Sequence, residues 1–343
     1  MIKVLYISNM YPSKAKAYAG IFVKKQVDYI QKNYKNQVEL SIYTLKRTFT
    51  SSIGSILKYI FFFIKFLPYL FKKYDVVHIH YLVPTIILGF IYKLFHPKTL
   101  LVVTLHGRDI TVQYPNNKKL FSYTASYIDL IIPVGETLRK MAVCHFPKTE
   151  MKILPVGVDD NIFKVKRVGK EYDFIFVGSL IKRKGIDTLL DALREENKYQ
   201  FKILIIGSGE FEKELSMLKS QHIITILKNL NQNEIADNLS LSKWLILPSR
   251  NEGFPTVTIE AMFCGIPVIG SDIPQIKEQV YPFKNGLLFP VENASELLQI
   301  MNKAFEVEVS KYNKYCKNAS NSFKELGLSK VCSILISLYN ERL

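Results

Sequence analysis

Two glutamates bracket the stretch Glu252-Gly253-Phe254-Pro255-Thr256-Val257-Thr258-Ile259-Glu260. On one continuous helix, that spacing would leave them about 80° apart and two turns from each other. Gly253 and Pro255 argue against it, because both residue types interrupt a helix. The stretch reads instead as a loop running into a helix start, with Pro255 suited to the first turn. Glu252 then lies in the loop beside the helix mouth. Glu260 lies on the helix, its side chain leaning back toward the N-terminus. The free N–H groups of Thr256, Val257 and Thr258 make a seat for an anionic group such as a diphosphate. Carboxylates accept pairs of sugar hydroxyls well, so the two acids are candidates for flanking a bound sugar and its anion. Alone, the same residues also fit a loop acid and a helix-start acid favoured by the macrodipole.

Other residues carry possible chemistry. Lys182, Arg183 and Lys184 stand together before Gly185. A basic turn is usually only solvated, but three cations beside a glycine suit two leaving phosphates. His106 follows a β-like run and opens His106-Gly107-Arg108-Asp109. Gly20 stands at the start of the first helix, where glycine lets a ligand approach the backbone; a simple helix cap is the alternative. Gly207 and Gly209 form a Gly-x-Gly turn without the third glycine, a weak dinucleotide signal. His78 and His80 share one strand face, yet no third ligand has evident spacing, so no metal site is expected.

The elements that must position these residues alternate. Apolar runs at residues 3–7, 75–80, 100–105, 128–134 and 153–156, then 174–177, 202–206, 223–227 and 244–247, read as buried strands separated by helical segments. Strand, loop and helix start in that order place the loops at the carboxyl edge of a parallel sheet, where open α/β folds bind ligands. The expected fold is α/β, with two doubly wound, Rossmann-like parallel-sheet domains facing a cleft. They span 1–165 and 170–324, with a polar, basic linker between. A terminal segment, 325–343, carries a helix with apolar Val331, Ile334, Leu335 and Leu338 and is expected to return to the first domain.

A chain of 343 residues has ample length for two cores. Four cysteines without a Cys-x-x-Cys pair point to a reducing compartment and to neither zinc nor disulfides. The first residues are too short and too β-like for a signal peptide, so a cytoplasmic protein is expected. The net charge of +16 falls unevenly: residues 1–170 hold 26 Lys/Arg and 9 Asp/Glu, hence +17, and the remainder holds −1. A basic half calls for a polyanionic neighbour. No nucleic-acid-binding signature accompanies it, and the aromatic residues beside the lysines favour an anionic membrane surface. Lys58, Lys65 and Lys72 recur every seventh residue through an apolar stretch at 51–73. That stretch is too interrupted to span a bilayer and fits an interfacial amphipathic helix, or else a helix buried against the sheet.

The long ungapped stretch from Glu252 through Glu260-Ala261-Met262 to Cys264-Gly265-Ile266-Pro267 resembles the Glu-x7-Glu signature of the retaining glycosyltransferases of family 4, which have the GT-B fold. Asn9-Met10-Tyr11-Pro12 and Gly20-Ile21-Phe22-Val23 resemble the first loop of bacterial polysaccharide-synthesis members, and His106-Gly107-Arg108-Asp109 resembles a His-Gly-x-Asp motif. The resemblance implies that Glu260 holds ribose hydroxyls, that Glu252 and His106 meet the donor sugar, and that Lys184 binds the donor diphosphate. Gly20, Arg183, Gly253, Phe254, Thr256, Val257 and Gly207 are implied in the donor site. Ser179 stands where the family carries an arginine, a departure that Arg183, Lys182 or the Ser179 hydroxyl itself would have to make good. The implied activity is transfer of a sugar from a nucleotide donor, such as a UDP- or GDP-sugar, to an acceptor hydroxyl, with no resident cofactor and no metal. The basic, aromatic first half points to a lipid-linked glycan as acceptor and to the inner face of the cell membrane as the place. The alternative is a non-catalytic sugar-nucleotide-binding subunit.

Overall fold

The computed structural model describes residues 1–12, 20–45, 59–218 and 222–343. The chain divides into two compact units, Met1–Gly157 with Leu328–Leu343, and Val158–Gly327.

In the first unit, six strands run in chain order: β1 (Ile2–Ser8), β2 (Val38–Thr44), β3 (Val76–His80), β4 (Leu100–Leu105), β5 (Leu130–Pro133) and β6 (Glu150–Met151). They form one parallel sheet in the order β2-β1-β3-β4-β5-β6. β3 and β4 are buried along their whole length, as strands covered on both faces must be. The run at 153–156 is not a strand: β6 ends at Met151, with Lys152 N and Leu154 N still donating to the Ile131 and Pro133 carbonyls, and Pro155 has no N–H to continue the ladder.

In the second unit, β7 (Tyr172–Val177), β8 (Lys202–Ile206), β9 (Ile223–Leu227), β10 (Ser242–Leu247), β11 (Val268–Ser271) and β12 (Gly286–Phe289) form a parallel sheet in the order β12-β11-β10-β7-β8-β9. Its two faces carry separate apolar clusters, one around Phe174, Phe176 and Trp244, the other around Ile175, Leu245 and Ile259.

In both sheets the strand order reverses once, between β1 and β3 and between β7 and β10. Connections leave such neighbouring strands in opposite directions, so their carboxyl-end loops part and open a crevice.

The division between units falls at Gly157, upstream of the basic stretch expected to link them. The reason is packing: Val158 and Phe163 are buried in the second unit's core. The terminal helix runs Leu328–Asn340 and belongs to the first unit. It buries Val331, Leu335 and Leu338 as expected, together with Cys332, Ile336 and Tyr339, and leaves Ile334 exposed.

The expected interfacial helix lies partly outside the described residues, Lys58 included. Its described part is not one helix. The helix is over by residue 65, and a separate 3-10 segment, Leu67–Phe71, follows; its first turn holds Pro68, whose ring blocks helical continuation. Phe62, Phe66 and Leu70 face inward, where Phe62 and Phe66 pack on Tyr43. No described helix is long and apolar enough to cross a membrane.

Candidate functional site

The loops after β7 and β10 meet at the switch point of the second sheet. Lys184 Nζ donates to Glu252 Oε1 at 2.6 Å, and Ser249 Oγ donates to the same oxygen at 2.6 Å. Arg183 Nη1 stands 3.7 Å from Glu252 Oε2 and donates to the Asn251 carbonyl at 2.9 Å. A carboxylate only 7% exposed is therefore matched by one close cation, one hydroxyl and a second cation nearby, as a buried charge requires. The Lys184 ammonium is committed to Glu252, a contact its spacing in the sequence does not show.

Two further contacts lock the loops. Arg250 grips Asp187 with both guanidinium nitrogens, Nη1 to Oδ1 at 2.6 Å and Nη2 to Oδ2 at 2.9 Å, a geometry that fixes direction as well as distance. Gly185 has φ +69°, and a Cβ there would lie 1.8 Å from the Pro248 carbonyl oxygen. Only glycine lets Lys184 come this close to the β10 loop. Neither Asp187 nor Ser249 was singled out as functional from sequence, since short polar side chains carry no spacing signal of their own.

The helix after the β10 loop spans Thr256–Phe263, with Pro255 as its N-cap rather than inside its first turn. Pro255 has ψ 106°, an extended value that places it just outside the helix. No side chain caps this end, so its first N–H groups lack a side-chain acceptor. Thr256 starts the helix; Phe254 and Val257 pack half-buried against the core, and Gly253 is half-buried beside them. Glu260 sits on the helix, half-buried. Burial pushes the Cys264 thiol up to about 12, and the nearby Glu260 carboxylate adds to that rise. Glu252 thus lies in the cationic cluster, while Glu260 stands on the helix one turn before Cys264.

Ser179 is exposed in the loop after β7. That loop is zipped to the turn after β8, where Gly207 lies: Gly178 N donates to the Ile206 carbonyl at 2.9 Å and Leu180 N to the Ser208 carbonyl at 2.9 Å.

In the first unit, His106 follows β4 on a loop organised by Asp109. That carboxylate accepts from the backbone N–H groups of Leu82, His106, Gly107 and Ile110. Burial raises its pKa and these four bonds oppose the rise. Arg108 is exposed, so Asp109 organises the loop from inside while Arg108 faces solvent. The His106 ring lies 4.7 Å from Phe22 and 4.5 Å from Tyr81. Its Nε2 lies 3.1 Å from His80 Nδ1. Gly20 caps the helix Ile21–Asn33 that carries Phe22. At φ +65°, a Cβ on Gly20 would sit 2.3 Å from the Met10 carbonyl oxygen. Ala19 lies outside the described residues.

His78 and His80 do share a face, with ring centroids 4.4 Å apart. Their nitrogens serve hydrogen bonds: His78 Nδ1 meets Tyr339 Oη at 2.5 Å and His78 Nε2 meets Thr104 Oγ1 at 2.7 Å. Burial holds His78 and His106 well below the usual imidazole range and pushes His80 down to about 3. Among the described residues, no group of three or more His, Cys, Asp or Glu could hold a metal ion.

The family model for glycosyl transferases group 1 matches residues 158–322, and that for Glycosyltransferase Family 4 matches residues 25–162. An uncharacterized glycosyltransferase of Methanocaldococcus jannaschii is 29% identical over 231 residues, covering 65% of this chain and 63% of that protein. The chain thus spans less than two thirds of that relative's length. The O-antigen biosynthesis glycosyltransferase WclY of Escherichia coli is 27% identical over 259 residues, covering 68% of this chain and 70% of that protein. Among solved structures, HepE of Anabaena in complex with UDP shares the fold, with a TM-score of 0.76 at 17% identity, covering 99% of this chain and 100% of that one. With both family matches falling on two parallel-sheet units of this topology, the chain belongs to glycosyltransferase family 4 and has the GT-B fold.

Proposed function

We propose that the protein transfers a sugar from a nucleoside-diphosphate donor to an acceptor hydroxyl, with retention at the anomeric carbon. The observation that carries this reading is the Lys184–Glu252–Ser249 cluster at the switch point between β7 and β10. As the anomeric C–O bond breaks, its electron pair leaves on the diphosphate. Positive charge grows on the sugar, and the Glu252 carboxylate answers it. Lys184, Arg183 and the helix start at Thr256 answer the diphosphate, so the reading needs no metal. The departing phosphate takes the acceptor hydroxyl's proton as the new C–O bond forms. His106 and Glu260 would hold the donor sugar and the ribose, with Gly20, Gly207, Gly253, Phe254, Val257 and Ser179 along the donor site. HepE, solved with UDP, and the O-antigen name of WclY support a nucleotide sugar as donor and a surface polysaccharide as product.

The acceptor in this reading is a lipid-linked glycan at an anionic membrane surface. It is supported by the +17 charge of residues 1–170 and by exposed Ile64, Leu67 and Phe71 beside exposed Lys65, Lys72 and Lys73. Phe71 is the most exposed of the three apolar residues, at 87%.

Purified protein mixed with a panel of UDP- and GDP-sugars tests the reading. One donor is expected to raise the melting temperature and to be slowly hydrolysed or transferred, with both effects weakened in Glu252→Gln. Binding without any turnover would instead support the non-catalytic subunit, which the uncharged, exposed Ser179 favours. No binding to any donor defeats both.

A further inference from the structure

His80 Nδ1 and His106 Nε2 lie 3.1 Å apart, and burial keeps both rings neutral. Two neutral imidazoles can share one such bond in only two ways. Either His80 donates from Nδ1, leaving its own Nε2 bare and putting the second proton on His106 Nδ1. Or His106 donates from Nε2, leaving its Nδ1 bare and putting an N–H on His80 Nε2.

The surroundings separate the two. His80 Nε2 is buried, and among the described residues it has no hydrogen-bond partner. Its stacked neighbour His78 has both nitrogens engaged, by Tyr339 and Thr104. A proton on His80 Nε2 would be a buried N–H without a protein acceptor, which folded proteins rarely tolerate; a bare nitrogen is the lesser cost.

We propose that His80 is a positioning residue: it donates from Nδ1 to His106 Nε2 and so fixes His106 as a neutral donor at Nδ1. The His106 ring is held for that task by Phe22 at 4.7 Å and Tyr81 at 4.5 Å. Tyr81 has φ +71°, a left-handed backbone disfavoured for a bulky side chain and found where a site demands it. Among the described residues no hydrogen bond to His106 Nδ1 forms, and the residue is half-buried. In this tautomer His106 presents a donor only. It addresses an oxygen lone pair on the ligand, a sugar hydroxyl or a phosphate oxygen, and cannot serve as base to an acceptor hydroxyl. The identity of that ligand rests on the sugar-nucleotide reading; the tautomer does not.

The test is nitrogen NMR of the full chain carrying nitrogen-15 histidine, with His106 assigned through His106→Gln. Wild-type protein at neutral pH is expected to show His106 protonated at Nδ1 and bare at Nε2. His80→Phe keeps a ring but removes the donor, so the His106 signals move toward the Nε2–H form. His80→Asn, whose amide N–H reaches the same place, restores them. For the preferred donor sugar, kcat/KM should fall about 10–100-fold in His80→Phe, as when an orienting partner is lost elsewhere, and recover in His80→Asn. A wild-type spectrum with the proton on His106 Nε2, or a His106 tautomer indifferent to His80→Phe, overturns the proposal. The wild-type spectrum needs no substrate, so a protein with the expected tautomer and no transfer activity would count against the proposed function alone.

Discussion

Lys184 Nζ lies 2.6 Å from Glu252 Oε1, an ion pair across 68 positions of sequence that ties the loop after β7 to the loop after β10. Removing the lysine leaves a mostly buried carboxylate with Ser249 at 2.6 Å and Arg183 at 3.7 Å. Lys184→Ala is therefore expected to cost stability, on the order of 1–3 kcal/mol, and about 10²–10³-fold in turnover. Urea unfolding and donor hydrolysis measure the two losses. Turnover equal to wild type would remove Lys184 from the proposed chemistry.

Gly185 and Gly169 make a matched pair of substitutions. A methyl at Gly185 would meet the Pro248 carbonyl at 1.8 Å, whereas one at Gly169 meets nothing within 4 Å. Gly185→Ala should lose about 1–3 kcal/mol, and Gly169→Ala should stay within about 0.5 kcal/mol of wild type. Equal unfolding midpoints for the two variants would mean the Gly185 contact does not constrain the loop.

The buried histidines set an acid limit. The native state holds His80 down to about 3 and keeps His78 and His106 low as well, while the unfolded rings take protons near about 6.5. Between those values the unfolded chain binds protons that the folded chain refuses. Stability is thus full above about 6.5 and falls as pH drops toward 3. Urea midpoints should decline from neutral pH to about pH 5, and the decline should be shallower in His80→Phe. Identical slopes would show that His80 does not contribute.

The membrane surface is testable at Phe71, Lys72 and Lys73. Each lysine near an anionic bilayer contributes about 1 kcal/mol, so Lys72→Glu with Lys73→Glu should lower liposome partition at least tenfold at low salt. Phe71→Ser should weaken it independently of salt. Co-sedimentation unchanged in both variants would leave the basic half without this partner.

The sequence made the β10–loop–helix unit readable because an apolar run, a Gly-x-Pro break and a helix start follow one another within a few residues. The same local order exposed Glu252, Lys184 and the His106 loop. It could not show that Lys184 and Glu252 touch, because that depends on β7 and β10 being sheet neighbours, a relationship between distant segments. The His80–His106 bond is hidden for the same reason: it needs the parallel register that sets His80 against Thr104. The failed strand at 153–156 and the divided segment at 59–71 share another cause. In each, apolar content pointed to regular structure and a single proline overruled it.

Tyr339, near the end of the chain, hydrogen-bonds His78 in the first sheet, and Arg342 pairs with Glu150. The first unit's core is therefore unfinished until the last helix has been made. During synthesis the N-terminal sheet must wait, with Tyr6 and His78 lacking their partner, while the whole second unit emerges and folds. A chain cut after Gly327 would hold every residue of the second unit and still lack the helix that completes the first.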